Sequence, residues 1–483
     1  MAESTVKGAF KYPVNAESSM RDKILAAIPP FALTLGNGLV TFAAMILNTF
    51  LFQEANAIAE IALITMLGTL ASTMFNPVIG KFGDLFGRKR TGLVALIPYL
   101  ISIYVIATAK SMVPFAIGYI VQKACMGAVS GSMTGGMVMD LFEGELRTKM
   151  QNYTNAMDAL GGMVGPVIAG KLGDLLGAQA TVRYMAIPLI IAWFVILFLF
   201  PDVRNIKKNV KIDYKGVITM WFFVGPLCFA LAAGNKYWPW ISWQTGALLV
   251  VAAIALVIFL NFEKKESQPL VNLKLFKHPA YVTLILACFF GGCTIANTYF
   301  NMYLNKVMQV TATQTGYISL LVILSVILNP FIGGYLAKTK NFRGILALAA
   351  FFQICQAISY GFFLKPNSPW WLGMLFKCFQ TLHNCCNIAP LMGFLGYVMP
   401  ADKRGMSIGV QAFFQTLAGS IYSALAALIM NRYQGDIAVA FRPLMIMMLV
   451  ASVLKFAFFS RITKADELDK VKAEMEEIYG IDD

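Results

Sequence analysis

The sequence predicts an all-α membrane protein with 14 transmembrane helices, built as two six-helix bundles plus an inserted helix pair. Hydrophobic residues make up 58% of its 483 residues and charged residues 13%, whereas soluble domains average about 25% charged residues. Apolar stretches of about 20 residues, the length that crosses a bilayer, recur along the chain. The predicted spans are 24–50, 57–79, 92–109, 114–140, 150–172, 181–201, 215–234, 243–262, 279–300, 313–336, 344–364, 370–396, 407–430 and 442–460.

The segments between these spans carry the charge and predict the topology. The first 23 residues are polar and mixed in charge, unlike a cleaved signal peptide. Most of the 39 lysines and arginines fall in alternate loops, such as the run Arg88, Lys89 and Arg90. Because cytoplasmic loops are enriched in Lys and Arg, we expect an even helix count and both termini in the cytoplasm, with the chain in the plasma membrane. This pattern accounts for the net charge of +14 without a nucleic-acid partner.

The chain lacks the sequence patterns of cofactor sites and of common catalytic sites. All eight cysteines fall in predicted spans without metal-ligand spacing, and no disulfide framework is visible. No G-x-x-x-x-G-K-[ST] loop is present to hold a nucleotide phosphate. We therefore predict no cofactor, no metal and no enzymatic activity.

The two halves of the chain resemble each other. In the first half Lys123 precedes Arg147, which lies in the loop DLFEGELRTKM (140–150). In the second half Lys377 precedes Arg404, in the loop PADKRGM (400–406). Such repeats are common in membrane carriers. The repeat divides the chain into a cytoplasmic segment 1–23, an N-terminal bundle 24–201, a linker with two inserted helices 202–278, a C-terminal bundle 279–460 and a cytoplasmic tail 461–483. We expect the tail to be a solvated extension.

The loop GKFGDLFGRKR (80–90) resembles the signature loop of the major facilitator superfamily. Its glycines, including Gly80 and Gly87, permit a tight turn, and Asp84 lies near a helix amino terminus, which favours an anion. The resemblance implies the major facilitator fold and a conformational switch formed by Gly80, Asp84, Gly87, Arg88 and Arg147.

Further motifs resemble the 14-helix drug:proton antiporter branch of this superfamily. GGMVGPVIAG (161–170) resembles its helix-5 motif, in which small residues pack closely and proline bends the helix. The residues that match are Gly161, Gly165, Pro166 and Gly170. KACMG (123–127) resembles the helix-4 motif, with Lys123 in place of arginine. Two connectors, KIDYKG (211–216) and PLVNLKLF (269–276), also resemble this branch.

Two departures from the family pattern bear on function. The second copy of the signature loop, GGYLAKTKNFRG (333–344), has no aspartate. In helix 1, Gly36 occupies the position at which the drug exporters of this branch carry an aspartate. In the family that acid is expected to serve protons or cationic drugs, so its absence argues against the usual cationic-drug cycle.

Four charged residues lie more than three positions from either end of a predicted span: Lys123, Asp158, Lys377 and Lys455. A charge inside a bilayer costs at least about 2.5 kcal/mol and usually faces a cavity or a partner. Lys455 is near the end of its span, so we expect it to reach the cytoplasmic surface. The other three are deeper and are candidates for function.

These deep residues define the predicted site. Lys123 and Lys377 occupy matching repeat positions and are expected to line a central cavity, where two ammonium groups would attract an anion. Asp158 is the candidate proton-coupling group, although Lys123 and Asp158 forming a structural ion pair is an alternative. Helical spacing puts further polar residues on the face of Lys377. The predicted substrate-binding residues are Lys123, Lys377, Gln380, Asn384 and Asn37.

The resemblance implies a monomeric secondary active transporter that moves a small molecule across the lipid bilayer by alternating access. The two lysines favour an organic anion, such as a bile acid or an aromatic acid, with proton coupling by symport or antiport. One alternative is a multidrug:proton antiporter. An alternative of another class is a non-transporting sensor on a transporter scaffold.

Overall fold

The structure is a computed structural model that describes residues 14–15, 17–55, 60–127, 129, 133–142, 144–201, 214–233, 237–265, 273–399 and 404–480. Over these residues every regular element is a helix, and one isolated β-bridge joins Val14 to Phe142. The prediction of an all-α fold is therefore confirmed.

The α-helices follow one another with short connections. In chain order they are α1 Met20–Glu54, α2 Ile61–Phe86, α3 Arg88–Ile106, α4 Met112–Gly127, α5 Thr134–Leu141, α6 Gly144–Leu176, α7 Ala178–Met185, α8 Ile187–Leu199, α9 Tyr214–Ala233, α10 Trp243–Lys265, α11 Pro279–Gly291, α12 Ile295–Lys306, α13 Ala312–Ser319, α14 Ile323–Thr339, α15 Phe342–Ile358, α16 Trp370–Val398, α17 Arg404–Arg432, α18 Ile437–Phe459 and α19 Leu468–Gly480. A π-helical turn, Ser359–Phe363, extends α15.

Side-chain caps explain where several helices begin. The Ser19 hydroxyl accepts a hydrogen bond from the backbone N–H of Asp22 at the start of α1. At α13, Thr311 and Gln314 form a capping box, in which each side chain binds the other's backbone N–H. These bonds satisfy backbone donors that the first helical turn leaves unpaired.

Nine helical segments among the described residues are long and apolar enough to cross a membrane. They are Met20–Glu54, Arg88–Ile106, Ala156–Leu176, Ala178–Leu199, Lys215–Ala233, Trp243–Lys265, Ala312–Leu336, Phe342–Phe363 and Ile437–Phe459. The predicted span 279–300 is divided at residues 292–294 into α11 and α12. The total of 14 spans stays a prediction.

The chain forms two compact units, each with its own core. The first comprises Met1–Ile212 with Thr311–Leu320, and the second comprises Asp213–Val310 with Leu321–Asp483. In the first unit α6 packs along α1 and α13, and α2 packs on α4. In the second, α15 packs between α16 and α18, α9 pairs with α10, and α11 packs on α17 and α18. The predicted domain boundaries stay predictions.

Candidate functional site

Lys377 lies on α16 with 6% of its surface exposed. Its Nζ lies over the ring of Phe300 on α12, 5.6 Å from the centroid. Phe300 stacks in turn on Tyr360, with ring centroids 4.1 Å apart. Within the described part of the chain, no acidic side chain forms a salt bridge with Lys377. The ammonium is therefore buried against an aromatic pair that attracts a cation without neutralising its charge.

The polar stripe predicted around Lys377 divides in the structure. Gln380, Thr381 and Asn387 are buried, whereas Asn384 is exposed. Among the described residues, the amide oxygen of buried Asn387 has no hydrogen-bond partner. Helical spacing predicts the shared face but not how far neighbouring helices cover it, which is why Asn384 differs from its neighbours.

Lys123 lies half-buried on α4, in the first unit. Its Nζ is 5.4 Å from the ring centroid of Tyr119, one helical turn away. The lysine stem crosses Gly68 on α2, where a Cβ would lie 3.0 Å from Lys123 Cγ. No salt bridge joins Lys123 to Asp158, both of which the structure describes. The structure therefore does not contain the ion pair that was the alternative for Lys123.

Asp158 lies half-buried on α6, at the point where α6 packs against α1. A Cβ added to Gly38 on α1 would be 3.3 Å from the Asp158 carboxylate oxygen Oδ1. The adjacent Asn37 is 3% exposed, and its Oδ1 accepts a hydrogen bond of 3.0 Å from the hydroxyl of Tyr99 on α3. Asp158 therefore lies beside Gly38 at the contact of α6 with α1, and the neighbouring Asn37 joins α1 to α3.

The expectation that Lys455 reaches the cytoplasmic surface is wrong. Its side chain is buried at 1% exposure, and Nζ donates a hydrogen bond of 3.2 Å to Oε1 of Gln353 on α15. Nζ also lies against Gly291, where a Cβ would be 3.0 Å away. Side chains on a helix point towards its amino terminus, which directs Lys455 away from the nearby carboxyl end of α18. The ammonium instead meets the carboxyl end of α11, where a positive charge is favourable.

The signature loop is a compact turn closed by a salt bridge. Gly87 has φ +88° and separates α2 from α3. Arg88 Nε lies 3.5 Å from Asp140 Oδ2 on α5, and a Cβ at Gly136 would collide with the Arg88 guanidinium. Lys89 donates a hydrogen bond of 2.6 Å to the carbonyl of Phe200, at the end of α8. The side chains of Asp84 and Arg147, and the surroundings of Gly80, lie outside the described residues.

The helix-5 motif forms two contact points on α6. A Cβ at Gly161 would be 2.9 Å from the Gly38 Cα, and one at Gly165 would be 2.9 Å from the Leu39 carbonyl oxygen, both on α1. Five residues after Gly165, a Cβ at Gly170 would be 2.5 Å from the carbonyl oxygen of Ala312 on α13.

The contact between α6 and α13 also depends on a glycine of α13. A Cβ at Gly316 on α13 would be 2.6 Å from the carbonyl oxygen of Pro166. The motif therefore lets α6 approach the α1 and α13 backbones at van der Waals distance.

The sequence did not predict three contacts: the hydrogen bond from Tyr99 to Asn37, the ring of Phe300 beside Lys377, and the hydrogen bond from Lys455 to Gln353. The chain contains 18 tyrosines and 37 phenylalanines, so an aromatic residue in a span is no signal. Gln353 was detectable, because it is an amide in the apolar stretch 344–364.

Comparison with known proteins shows which family the chain belongs to. The sequence profile described as Major Facilitator Superfamily matches residues 31–214 and 214–423. The chain is 28% identical over 404 residues to the "Multidrug transporter protein MdtP" of Bacillus subtilis (strain 168), which covers 81% of this chain and 73% of that protein. It is 29% identical over 281 residues to "Multidrug resistance protein 3" of the same organism, which covers 57% of this chain and 54% of that protein.

Solved structures share the fold. A mutant of peptide transporter POT in complex with alafosfalin superimposes with a TM-score of 0.66 and 14% identity, over 90% of this chain and 94% of that one. These structural neighbours confirm the predicted major facilitator fold. The family and the transporters among the relatives indicate that this chain is a transporter and not an enzyme. This multi-pass membrane chain belongs to the Major Facilitator Superfamily and is a transporter.

Proposed function

We propose that this transporter exports a bulky, amphipathic organic acid across the plasma membrane by alternating access, in exchange for protons. The observation that carries the proposal is Lys377, buried at 6% exposure without an acidic partner among the described residues. Burying an unpaired charge costs free energy, so helix packing alone does not account for an ammonium group at this position. A carboxylate substrate would supply the missing negative charge.

The surroundings of Lys377 fit an amphipathic acid. The stacked rings of Phe300 and Tyr360 offer an apolar wall beside the ammonium, and buried Gln380 adds a polar side chain one turn away. Ligand sites generally combine a mostly apolar lining with a few polar groups that set the orientation. A molecule with one carboxylate and a large hydrophobic body matches both parts. Lys123 is a second ammonium beside an aromatic ring, that of Tyr119, and it is proposed to be able to contact an organic anion in the same manner.

Proton coupling is assigned to Asp158. It is the deep carboxylate of the predicted spans, and it lies at the contact between α1 and α6 beside Gly38. A change in its protonation would alter the charge at this packed contact, where Gly161 and Gly38 leave little free space. Titration can therefore bias how the two helices fit together.

The experiment that tests the function is uptake into proteoliposomes that hold the purified chain. A panel of labelled organic anions and cations is offered under pH gradients of either sign. We expect gradient-driven movement of anions with large apolar bodies. Movement of cations but of no anion would contradict the proposal.

The names of the relatives favour a second candidate, a multidrug:proton antiporter of hydrophobic or cationic compounds. Gly36 stands where the drug exporters of the 14-helix branch carry an aspartate, and the absence of that acid weighs against cationic drugs. A Cβ at Gly36 would be 3.1 Å from the Pro188 carbonyl oxygen on α8. A carboxylate at this position of α1 would require the two helices to separate. The same transport panel distinguishes the two candidates through the sign of the substrate charge.

Asp158→Asn is expected to uncouple transport from the pH gradient. Asparagine keeps the shape of aspartate but cannot exchange a proton. We therefore expect gradient-driven accumulation to fall to background, while substrate exchange without a gradient continues. Glu54→Gln is the control, because Glu54 is an exposed carboxylate at the end of α1. If Asp158→Asn accumulates substrate as well as the wild type does, another group carries the proton.

A further inference from the structure

The structure contains a second charged contact at the loop that repeats the signature loop. In the first unit, Arg88 at the start of α3 pairs with Asp140 near the end of α5. Asp140 lies seven residues before Arg147 (140 to 147). In the second unit, the residue seven before Arg404 is Tyr397 (397 to 404), on the last turn of α16. A tyrosine therefore stands at the repeat position of the acid.

Lys340 takes the part of the signature-loop cation. It lies between α14 and α15 with φ +52°, as Gly87 lies between α2 and α3 with φ +88°. A non-glycine residue in this left-handed region is uncommon and strained. Lys340 Nζ donates a hydrogen bond to the Tyr397 hydroxyl and lies 4.7 Å from the centre of its ring. This contact has a cation and a hydroxyl but no formal negative charge.

Asp469, in the first turn of α19, supplies that negative charge. The Tyr397 hydroxyl donates a hydrogen bond to Asp469 Oδ1, which lies 3.7 Å from Lys340 Nζ. The hydrogen bond from Tyr397 and the nearby Lys340 hold the pKa of the Asp469 carboxyl below its usual range. Bonding to Tyr397 raises the pKa of Lys340. The three side chains therefore form one continuous chain of charge-assisted hydrogen bonds.

Two further features attach α19 to the second unit. Leu468, Val471 and Met475 are buried, at the spacing of one helical face. At the start of α11, His278 Nε2 lies 2.9 Å from Glu474 Oε2. His278 Nδ1 accepts the backbone N–H of Ala280, so Nε2 is the nitrogen that donates to Glu474. The tail helix is thus docked, contrary to the expectation of a solvated extension.

We propose that α19 is an intramolecular brace whose Asp469 is a positioning residue: it provides the acid that the second signature loop lacks and ties the ends of α14 and α16 to the start of α11. The brace keeps these helix ends together while the second unit moves during transport. The proposal rests on the chain being a transporter and is independent of the substrate.

The test compares Asp469→Asn with the matched control Asp466→Asn, an exposed acid three residues earlier. The first readout needs no substrate: the rate at which trypsin cleaves the detergent-purified chain after Lys472, three residues beyond the substituted position. We expect Asp469→Asn to raise this rate by up to about fivefold, the effect of losing one exposed ion pair, and Asp466→Asn to leave it unchanged. Equal cleavage of the two variants would overturn the brace.

The second readout is transport in proteoliposomes, with the maximal rate and KM measured separately. Asp469→Asn is expected to lower the maximal rate and leave KM unchanged, because Asp469 acts through Lys340 rather than on substrate. Exchanging the charges, Lys340→Asp with Asp469→Lys, is expected to restore it. Faster cleavage with an unchanged transport rate would refute the positioning role. Faster cleavage in a chain that moves no anion would leave the brace standing and refute the proposed substrate.

The charges also predict how the brace depends on pH. The hydrogen bond with His278 lowers the pKa of Glu474. The pKa of Asp469 is also lowered, by Tyr397 and Lys340. Groups with lowered pKa values stabilise the docked tail above their ordinary values, 3.8 for Asp469 and 4.5 for Glu474, and lose this effect as the pH falls through the lowered values. We therefore expect the trypsin cleavage rate, corrected for protease activity, to be constant between about pH 5 and 8. A cleavage rate that changes within this range would contradict the assignment of docking to these two carboxylates.

Discussion

Lys377→Gln is expected to weaken binding of the organic anion, and so to lower its transport, while the protein stays folded. The substitution removes the ammonium that is proposed to hold the carboxylate. A hydrogen bond to a charged group contributes about 1.5–3 kcal/mol, so binding should weaken by at least about tenfold. Because an unpaired buried charge destabilises a fold, the neutral side chain should not lower thermal stability. The measurements are gradient-driven uptake in proteoliposomes and the unfolding temperature of the purified variant.

The matched control is Lys365→Gln, in the exposed turn before α16. It removes one positive charge from the same unit without touching the aromatic pair beside Lys377. Uptake should be unchanged in this control. If Lys377→Gln transports anions at the wild-type rate, Lys377 does not bind substrate. If Lys377→Gln unfolds at a much lower temperature than the wild type, its ammonium has a structural role instead.

Gly170→Ala is expected to destabilise the first unit. The added Cβ would lie 2.5 Å from the carbonyl oxygen of Ala312 and 2.9 Å from the Cα of Thr313. Both are backbone atoms, so no change of rotamer relieves the clash and α13 must move away from α6. Overpacking of this kind costs about 1–3 kcal/mol. The measurement is the thermal unfolding temperature, together with the yield of monodisperse protein.

Gly246→Ala is the control for this prediction. Gly246 lies in α10, and a Cβ there would meet no atom within 4 Å. Alanine is a better helix former than glycine by about 0.5–1 kcal/mol, so the control should be neutral or slightly stabilising. The two identical substitutions are thus expected to have opposite signs. A Gly170→Ala protein as stable as the wild type would show that α6 and α13 can separate without loss.

Several features were predictable because they depend on residues close together in the sequence. The apolar spans follow from composition over about 20 residues. The signature loop GKFGDLFGRKR holds its glycines and basic residues within one turn. Lys377 stood out because a charge in an apolar stretch is costly wherever the helix packs. The amphipathic spacing of Leu468, Val471 and Met475 is also a local pattern. It predicts a helix face that packs against the protein, which the expectation of a solvated tail did not take into account.

The error at Lys455 shows the limit of this reasoning. Its distance along the chain from the helix end led to the expectation of a surface position. The burial of its side chain depends instead on Gln353 and Gly291, which lie on other helices, α15 and α11. The exposure of Asn384 beside buried neighbours has the same origin.

The sequence by itself determined that this protein is a helical membrane transporter of a known superfamily, since hydropathy and short motifs are local properties of the chain. Only the tertiary structure decided which partner each charge obtains: Phe300 for Lys377, Gln353 for Lys455 and Asp469 for Lys340. Each of these contacts joins residues more than 70 positions apart. Their pairing depends on how helices pack side by side, which no local pattern of residues records.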